Sequence, residues 1–199
     1  VGLDFNQNPV SLLLDGKIDK FSLGDEYFTE GTSSISNNRG ELLFYTNGVR
    51  VWNKQHQVMM NGTGLSGHTS STNAGLIVPL PGKNSKYYIF TTDAFFEEFA
   101  NGLRYSIVDM CGDNGLGEVT TKNVPLLSLA GERLALAKHG NGVDLWLIAH
   151  SHFSRAFHAY RITENGITEE IISEIGTFHG RDGNQDGIGQ MKVSPDGKR

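Results

Sequence analysis

A chain of 199 residues with 38% hydrophobic content lies within the size range of a single domain and can bury a core of its own, which excludes disorder as the default state. Its net charge of −5 is spread over interspersed acidic and basic residues, so nothing marks out nucleic acid or an anionic membrane as a partner. The lone cysteine, Cys111, excludes an internal disulfide and a Cys-rich zinc site, and the lack of any run of about eighteen apolar residues argues against a transmembrane helix.

The 25 glycines far outnumber the 5 prolines and fall mostly beside Asn, Asp, Lys or Ser, the chemistry of tight turns between many short strands. In chain order, the first unit is a small strand Ser33-Ser34-Ile35-Ser36, a turn Asn37-Asn38-Arg39-Gly40 and an apolar strand Leu42-Leu43-Phe44-Tyr45-Thr46. The amphipathic stretch Val49-Arg50-Val51-Trp52-Asn53-Lys54 follows. A second copy runs through Gly75-Leu76-Ile77-Val78, the turn Pro81-Gly82-Lys83-Asn84, Tyr87-Tyr88-Ile89-Phe90-Thr91 and Leu103 to Val108. The third takes Arg133 to Ala137, a turn at Gly140-Asn141-Gly142, Asp144 to Ala149 and Ala156 to Ile162. A fourth begins at Gly189 with Met191-Lys192-Val193-Ser194 and the turn Pro195-Asp196-Gly197-Lys198.

Each unit reads as a small inner strand, a hairpin, a bulky middle strand buried on both faces and an amphipathic, half-exposed outer strand. The turns recur every 45 to 57 residues or so, near the repeat of about 40 to 50 expected for propeller blades. The fold predicted is therefore all-β and β-propeller-like, with about three four-stranded blades and part of a fourth. The region 1–199 is read as a single incomplete propeller with approximate blades at 1–55, 56–116, 117–163 and 164–199. Only Ala94 to Ala100 offers a helical turn. An incomplete ring leaves an open blade edge. Further blades of a longer protein, of which this chain is a mature or trimmed piece, or self-association would cover it.

The run from Gly40 to Lys54, continued by His56 to Met59 and Asn61 to Leu65, resembles large secreted proteins of Bacteroidota. Further matches are Tyr87 to Thr91, Gly102 to Met110, Gly115 to Val124 and Met191 to Lys198. In those proteins a propeller-like amino-terminal region precedes immunoglobulin-like repeats and a sorting signal for the type IX, gliding-associated export route. The resemblance implies an exported, cell-surface or secreted protein with a role in adhesion or binding, and it brings no catalytic residues. The segment 21–30 and the insertion Phe95-Phe96-Glu97-Glu98-Phe99 depart from the pattern.

Several groups carry candidate chemistry. Asp182-Gly183-Asn184-Gln185-Asp186-Gly187 fits the opening of a calcium loop, with Asp182, Asn184 and Asp186 as ligands, although the twelfth position falls on Val193; a plain inter-blade turn reads equally well. His150 and His152 alternate at a strand end, with His139, His158 and His179 in supply, as a metal site or an acid–base pair needs, or as ordinary rim residues. Asp93, Glu97, Glu98 and Asp109 could furnish the two carboxylates of glycoside cleavage, or a solvated loop. Phe95, Phe96 and Phe99 either tuck under a sheet or offer a ligand-binding surface. Cys111 reads as a small packed residue, Trp52, Tyr87, Tyr88, Phe90 and Trp146 as packing aromatics, and Asn61-Gly62-Thr63 as a turn with the form of a glycosylation acceptor.

The expectation from these readings is a non-catalytic binding or adhesion module that meets a protein or glycan ligand through loops at one end, at Phe95 to Phe99 and Arg181 to Gly187. One alternative is a carbohydrate-active enzyme, a glycoside hydrolase or lyase, using Asp93, Asp109 or the histidine pair. The other is a structural spacer of a large surface protein. Convergence of these groups in one pocket favours the enzyme, and scattered positions favour the module.

Overall fold

A computed structural model of the chain describes residues 30–180, 182–194 and 196–197, the side chains of Phe96 and residues 182–184 excepted, together with the backbone of a small antiparallel pair, β1 (Gly2–Leu3) and β2 (Pro9–Val10). The fold is all-β, as expected. Twelve further strands form three consecutive antiparallel meanders of four. The first is β3 (Ser33–Ser36), β4 (Leu42–Thr46), β5 (Arg50–Asn53) and β6 (Val58–Thr63). The second is β7 (Leu76–Pro79), β8 (Lys86–Thr92), β9 (Leu103–Asp109) and β10 (Glu118–Leu127). The third is β11 (Ala130–Lys138), β12 (Leu145–Ser151), β13 (Phe157–Thr163) and β14 (Gly166–Ser173). A parallel bridge between Met60 and Glu118 joins β6 to β10 and merges the first two meanders into one eight-stranded, nearly closed sheet.

Asparagines start the turns. The Oδ1 of Asn37 accepts from the backbone N–H of Arg39 and Glu41, that of Asn47 from Val49 and Arg50, that of Asn53 from Gln55 and Gln57, and that of Asn141 from Val143 and Asp144. Each side chain thereby satisfies two turn donors that a strand ladder would otherwise leave bare.

Alternation along the strands builds the core. Successive side chains of a strand point to opposite faces, and β8 uses both: Ile89 packs with Phe44, Val51 and Met59 of the first meander, while Tyr88 and Phe90 pack with Leu134, Leu147 and Tyr160 of the third. Ile77 and Val78 divide β7 in the same way. Each such side chain, fully buried, contributes about 2 kcal/mol, so the middle meander ties both neighbours together. The third sheet uses one face only in this core; Trp146, Ile148 and Phe157 on its other face are half-buried.

The sequence reading needs three corrections. The amphipathic strands β5, β9 and β13 are third, not outermost, because β6, β10 and β14 lie beyond them. Met191 to Ser194 forms no strand, since no ladder partner runs beside it among the described residues. The helical turn expected at Ala94 to Ala100 is a 3-10 turn at Phe95–Glu97, with others at Asp113–Gly115 and Asp182–Gly187. No helix among the described residues is long and apolar enough to cross a membrane. The expectation for 21–29 lies outside the described residues, as do Arg181, Pro195 and Lys198.

Candidate functional site

Topology decides which loops meet. In a four-stranded meander the connection between the second and third strands and the one leaving the fourth strand emerge at the same end; the two remaining hairpins emerge at the other. The turns 47–49, 93–102 and 152–156, the connections 64–75 and 128–129, and the described residues 174–180 and 182–190 therefore share one end. Cross-links confirm the gathering. His68 N–H donates to the Thr92 carbonyl at 3.2 Å and His152 N–H to the Leu129 carbonyl at 2.5 Å. The Phe99 and His152 rings lie 4.6 Å apart, and the 3-10 turns Phe95–Glu97 and Asp182–Gly187 rest against each other. The two loops singled out from the sequence thus belong to one surface.

Glu132 organises the base of this end. Its side chain is fully buried, and Oε2 accepts from the Thr72 backbone N–H and hydroxyl, each at 2.7 Å, while Oε1 accepts from the Phe95 N–H at 3.3 Å. The Glu132 carbonyl takes the Asn73 amide at 2.7 Å. One carboxylate on β11 thereby pins two loops of this end, the one leading into β7 and the one between β8 and β9. Backbone contact is close here too: Gly48, at φ +84°, lies so near the Ala74 carbonyl that a Cβ would sit 2.1 Å from its oxygen.

Above this base two apolar side chains stay open to solvent, Leu129 at 39% and Phe153 at 52% exposure. Both hold positive φ, 51° and 55°, where a bulky residue is strained. By contrast Phe99 is completely buried and tucks under the loop, so it presents no ligand surface. Phe95 is half-buried, and the side chain of Phe96 lies outside the described residues.

Behind the loops, Arg133, His150 and His179 line a cavity of about 330 Å³ together with Phe157, Thr177, Gly189, Gln190 and Met191. Arg133 donates from Nη2 to the Ile188 carbonyl at 2.6 Å and from Nη1 to His179 Nε2 at 3.3 Å. The His150 and His179 rings stack at 3.9 Å. Burial, and then the neighbouring His179, lowers the pKa of His150; burial, and then the Arg133 charge, lowers that of His179. Both rings are held toward the neutral form. With Nδ1 donating to the Ser151 carbonyl at 2.8 Å, the neutral His150 ring leaves Nε2 as an acceptor, and that atom is buried without a partner.

The remaining candidates divide. Asp93 is 1% exposed, with Oδ2 taking the Asn101 N–H at 2.6 Å and burial raising its pKa. Asp109 pairs with Lys86 at 3.3 Å at the opposite end of β9, six strand steps or about 20 Å away. A glycosidase pair stands roughly 5 to 10 Å apart, so these two carboxylates cannot form one. Glu97 and Glu98 are exposed. His150 and His152 diverge: the first stacks on His179, and the second meets the Phe99 ring at a tilt. His158 bonds Glu170 at 2.7 Å across β13 and β14, and His139 lies beside Trp146. Both oxygens of Asp186 take the Gly180 N–H at 2.9 Å. The side chains of Asp182 and Asn184 lie outside the described residues, and no cluster of three metal-binding side chains occurs among the described ones. Cys111 is exposed in a turn, not packed. Trp52 is buried on Tyr45, and Asn61 lies within β6 with a left-handed φ of 58°.

No protein-family model, no curated protein and no solved structure matches the chain.

Glu132, Arg133, Leu129 and Phe153 are the residues that sequence reasoning passed over. A charged pair, Glu132-Arg133, heading the apolar strand Leu134-Ala135-Leu136-Ala137 was a usable signal, because charge next to a buried strand has to be satisfied by something. Leu129 and Phe153 carried none, since what sets them apart, a positive φ combined with solvent exposure, is not written in residue type.

Proposed function

We propose that the three four-stranded meanders are successive blades of a β-propeller-like domain and that the chain is a non-catalytic binding or adhesion module of an exported cell-surface or secreted protein, with a protein or glycan ligand taken at the loop end. The blade reading is supported by the repeated four-stranded meander and by β8, whose alternate residues serve two neighbouring sheets. On this reading the half-buried third-sheet face around Trp146 and Ile148 meets a further blade or a second copy. Export rests on the resemblance of the run Gly40 to Leu65.

The observation that carries the binding role is the pair Leu129 and Phe153, apolar, solvent-exposed and held in left-handed conformations on a fixed base. Such strain costs of order 1 kcal/mol or more per residue, and folding alone gains little from paying it for a side chain left in water. A recognition surface on a rigid scaffold does gain. The separation of Asp93 from Asp109 weighs against the glycosidase alternative, and a plain spacer has no use for exposed, strained apolar side chains.

An array of surface polysaccharides and proteins, probed with the chain and with a Leu129→Ser/Phe153→Ser variant, tests the proposal. Binding that the double variant loses while its circular dichroism is unchanged supports it. Release of shortened sugars from a bound polymer, or binding indifferent to the double variant, would overturn it.

A further inference from the structure

The chain leaving β14 runs back over the third meander as a strap, with residues 174–180 and 182–190 described, and little apolar burial holds it there. Ile175 is 84% exposed, and Phe178 and Ile188 are half-buried. A cavity of about 330 Å³ remains between Thr177, His179 and Gly189 of the strap and Arg133, His150 and Phe157 of the sheet. A segment with so few buried apolar contacts opens more readily than the strands beneath it. Its anchors are polar. Gly176 N–H donates to the Arg155 carbonyl and His179 N–H to the Ser154 carbonyl, each at 3.0 Å. The His179 ring stacks on His150 at 3.9 Å, and Arg133 donates to His179 Nε2 and to the Ile188 carbonyl.

Two of these anchors accept only neutral imidazoles. His179 Nε2 takes the Arg133 donor, so a proton on that nitrogen would set N–H against N–H. His150 Nδ1 donates to the Ser151 carbonyl, and Nε2 is sealed beneath the strap: a Cβ at Gly176 would sit 2.8 Å from it. A proton on Nε2 would point at the glycine with no acceptor, leaving a buried charge unsatisfied. The surrounding charges act in the same direction. His179 of the strap, Arg133 of β11 and His158 of β13 disfavour a charged His150. Arg133 and His152, in the turn after β12, disfavour a charged His179; Asp186 of the strap opposes them without reversing the direction.

We propose that this segment is an acid-released strap: a proton on His150 or His179 lifts it off the third meander and draws the Asp182–Gly187 turn away from the Phe95–Glu97 turn on which it rests. Once released, each ring takes up its proton near pH 6.5, and the state that binds more protons gains as pH falls. Acidification from pH 7.5 to 5.5 therefore favours release, by up to about tenfold for each ring. The release is a property of the fold and holds whatever the loop end binds.

Hydrogen exchange at the Gly176 and His179 amides, corrected for the intrinsic rate at each pH, reads the strap directly, and the Leu147 amide of β12 reports global unfolding. Both strap amides should exchange faster than Leu147, with little dependence on low urea because the opening exposes little surface, and their protection should drop on acidification. His150→Gln and His179→Gln, neutral at both pH values, should each reduce that drop several-fold, and either variant serves should the other fail to fold. Equal protection at the two pH values, strap amides that exchange in step with Leu147 and share its urea dependence, or an undiminished drop in both variants overturns the proposal.

Discussion

Leu129 and Phe153 meet water with large apolar side chains from backbone conformations that suit glycine or asparagine. Relieving that strain should separate stability from recognition. Phe153→Asn is expected to hold or raise stability, by up to about 1 kcal/mol, and to weaken ligand binding; chemical denaturation beside the array assay checks both. The stacked imidazoles of His150 and His179 give a pH dependence whose sign follows from their environment. Burial, with His179 beside one ring and Arg133 beside the other, lowers both pKa values in the fold. The unfolded chain takes up these protons as the pH drops through about 6.5, whereas the folded chain resists until lower pH. The unfolded state therefore binds more protons in that interval, and stability falls as pH is lowered from 6.5 toward the folded values. Urea midpoints should be lower at pH 5 than at pH 7.5, and His179→Phe should narrow the difference. An unchanged difference would assign the acid sensitivity to other groups.

At the scale of strands and loops, Glu132 is the residue through which β11 holds the loops at 72 and 95. Glu132→Ala would leave the Thr72 N–H, the Thr72 hydroxyl and the Phe95 N–H without their acceptor, at a cost of about 3 kcal/mol. Differential denaturation should show that loss, and hydrogen exchange at Thr72 and Phe95 should accelerate together. Exchange rising at one site alone would contradict a shared clamp. The strands were unequally legible. The segments Ser33–Ser36 and Leu42–Thr46 could be read residue for residue, because a small strand, an Asn-started turn and an apolar run each carry a local signature. The fourth strands carried none. β6 includes Asn61 and Gly62, β10 includes Pro125, and β14 is exposed along Thr168 to Ile172. Their pairing comes from the neighbouring strand and not from any pattern of their own, so tertiary context decides where sequence is mute.

For the molecule as a whole, the gathering of loops follows from strand count and direction, and the prediction of a loop-end surface at 95–99 and 181–187 needed no knowledge of side-chain contacts. What belonged to the surface did need it. Phe99 resembles Phe153 as a residue type, yet one is sealed beneath the loop and the other stands in water; likewise Asp93 and Asp109 look alike in sequence and sit about 20 Å apart by strand rise. Whether loops of neighbouring sheets meet at one end can be decided by distances between paired spin labels. One pair joins Glu97→Cys to Phe153→Cys in a Cys111→Ser background; the other joins Glu97→Cys to the native, exposed Cys111. The first distance should be clearly the shorter, since the second spans the length of β9, about 20 Å. A first distance equal to or longer than the second would place the two loops apart and remove the shared surface on which the binding role depends.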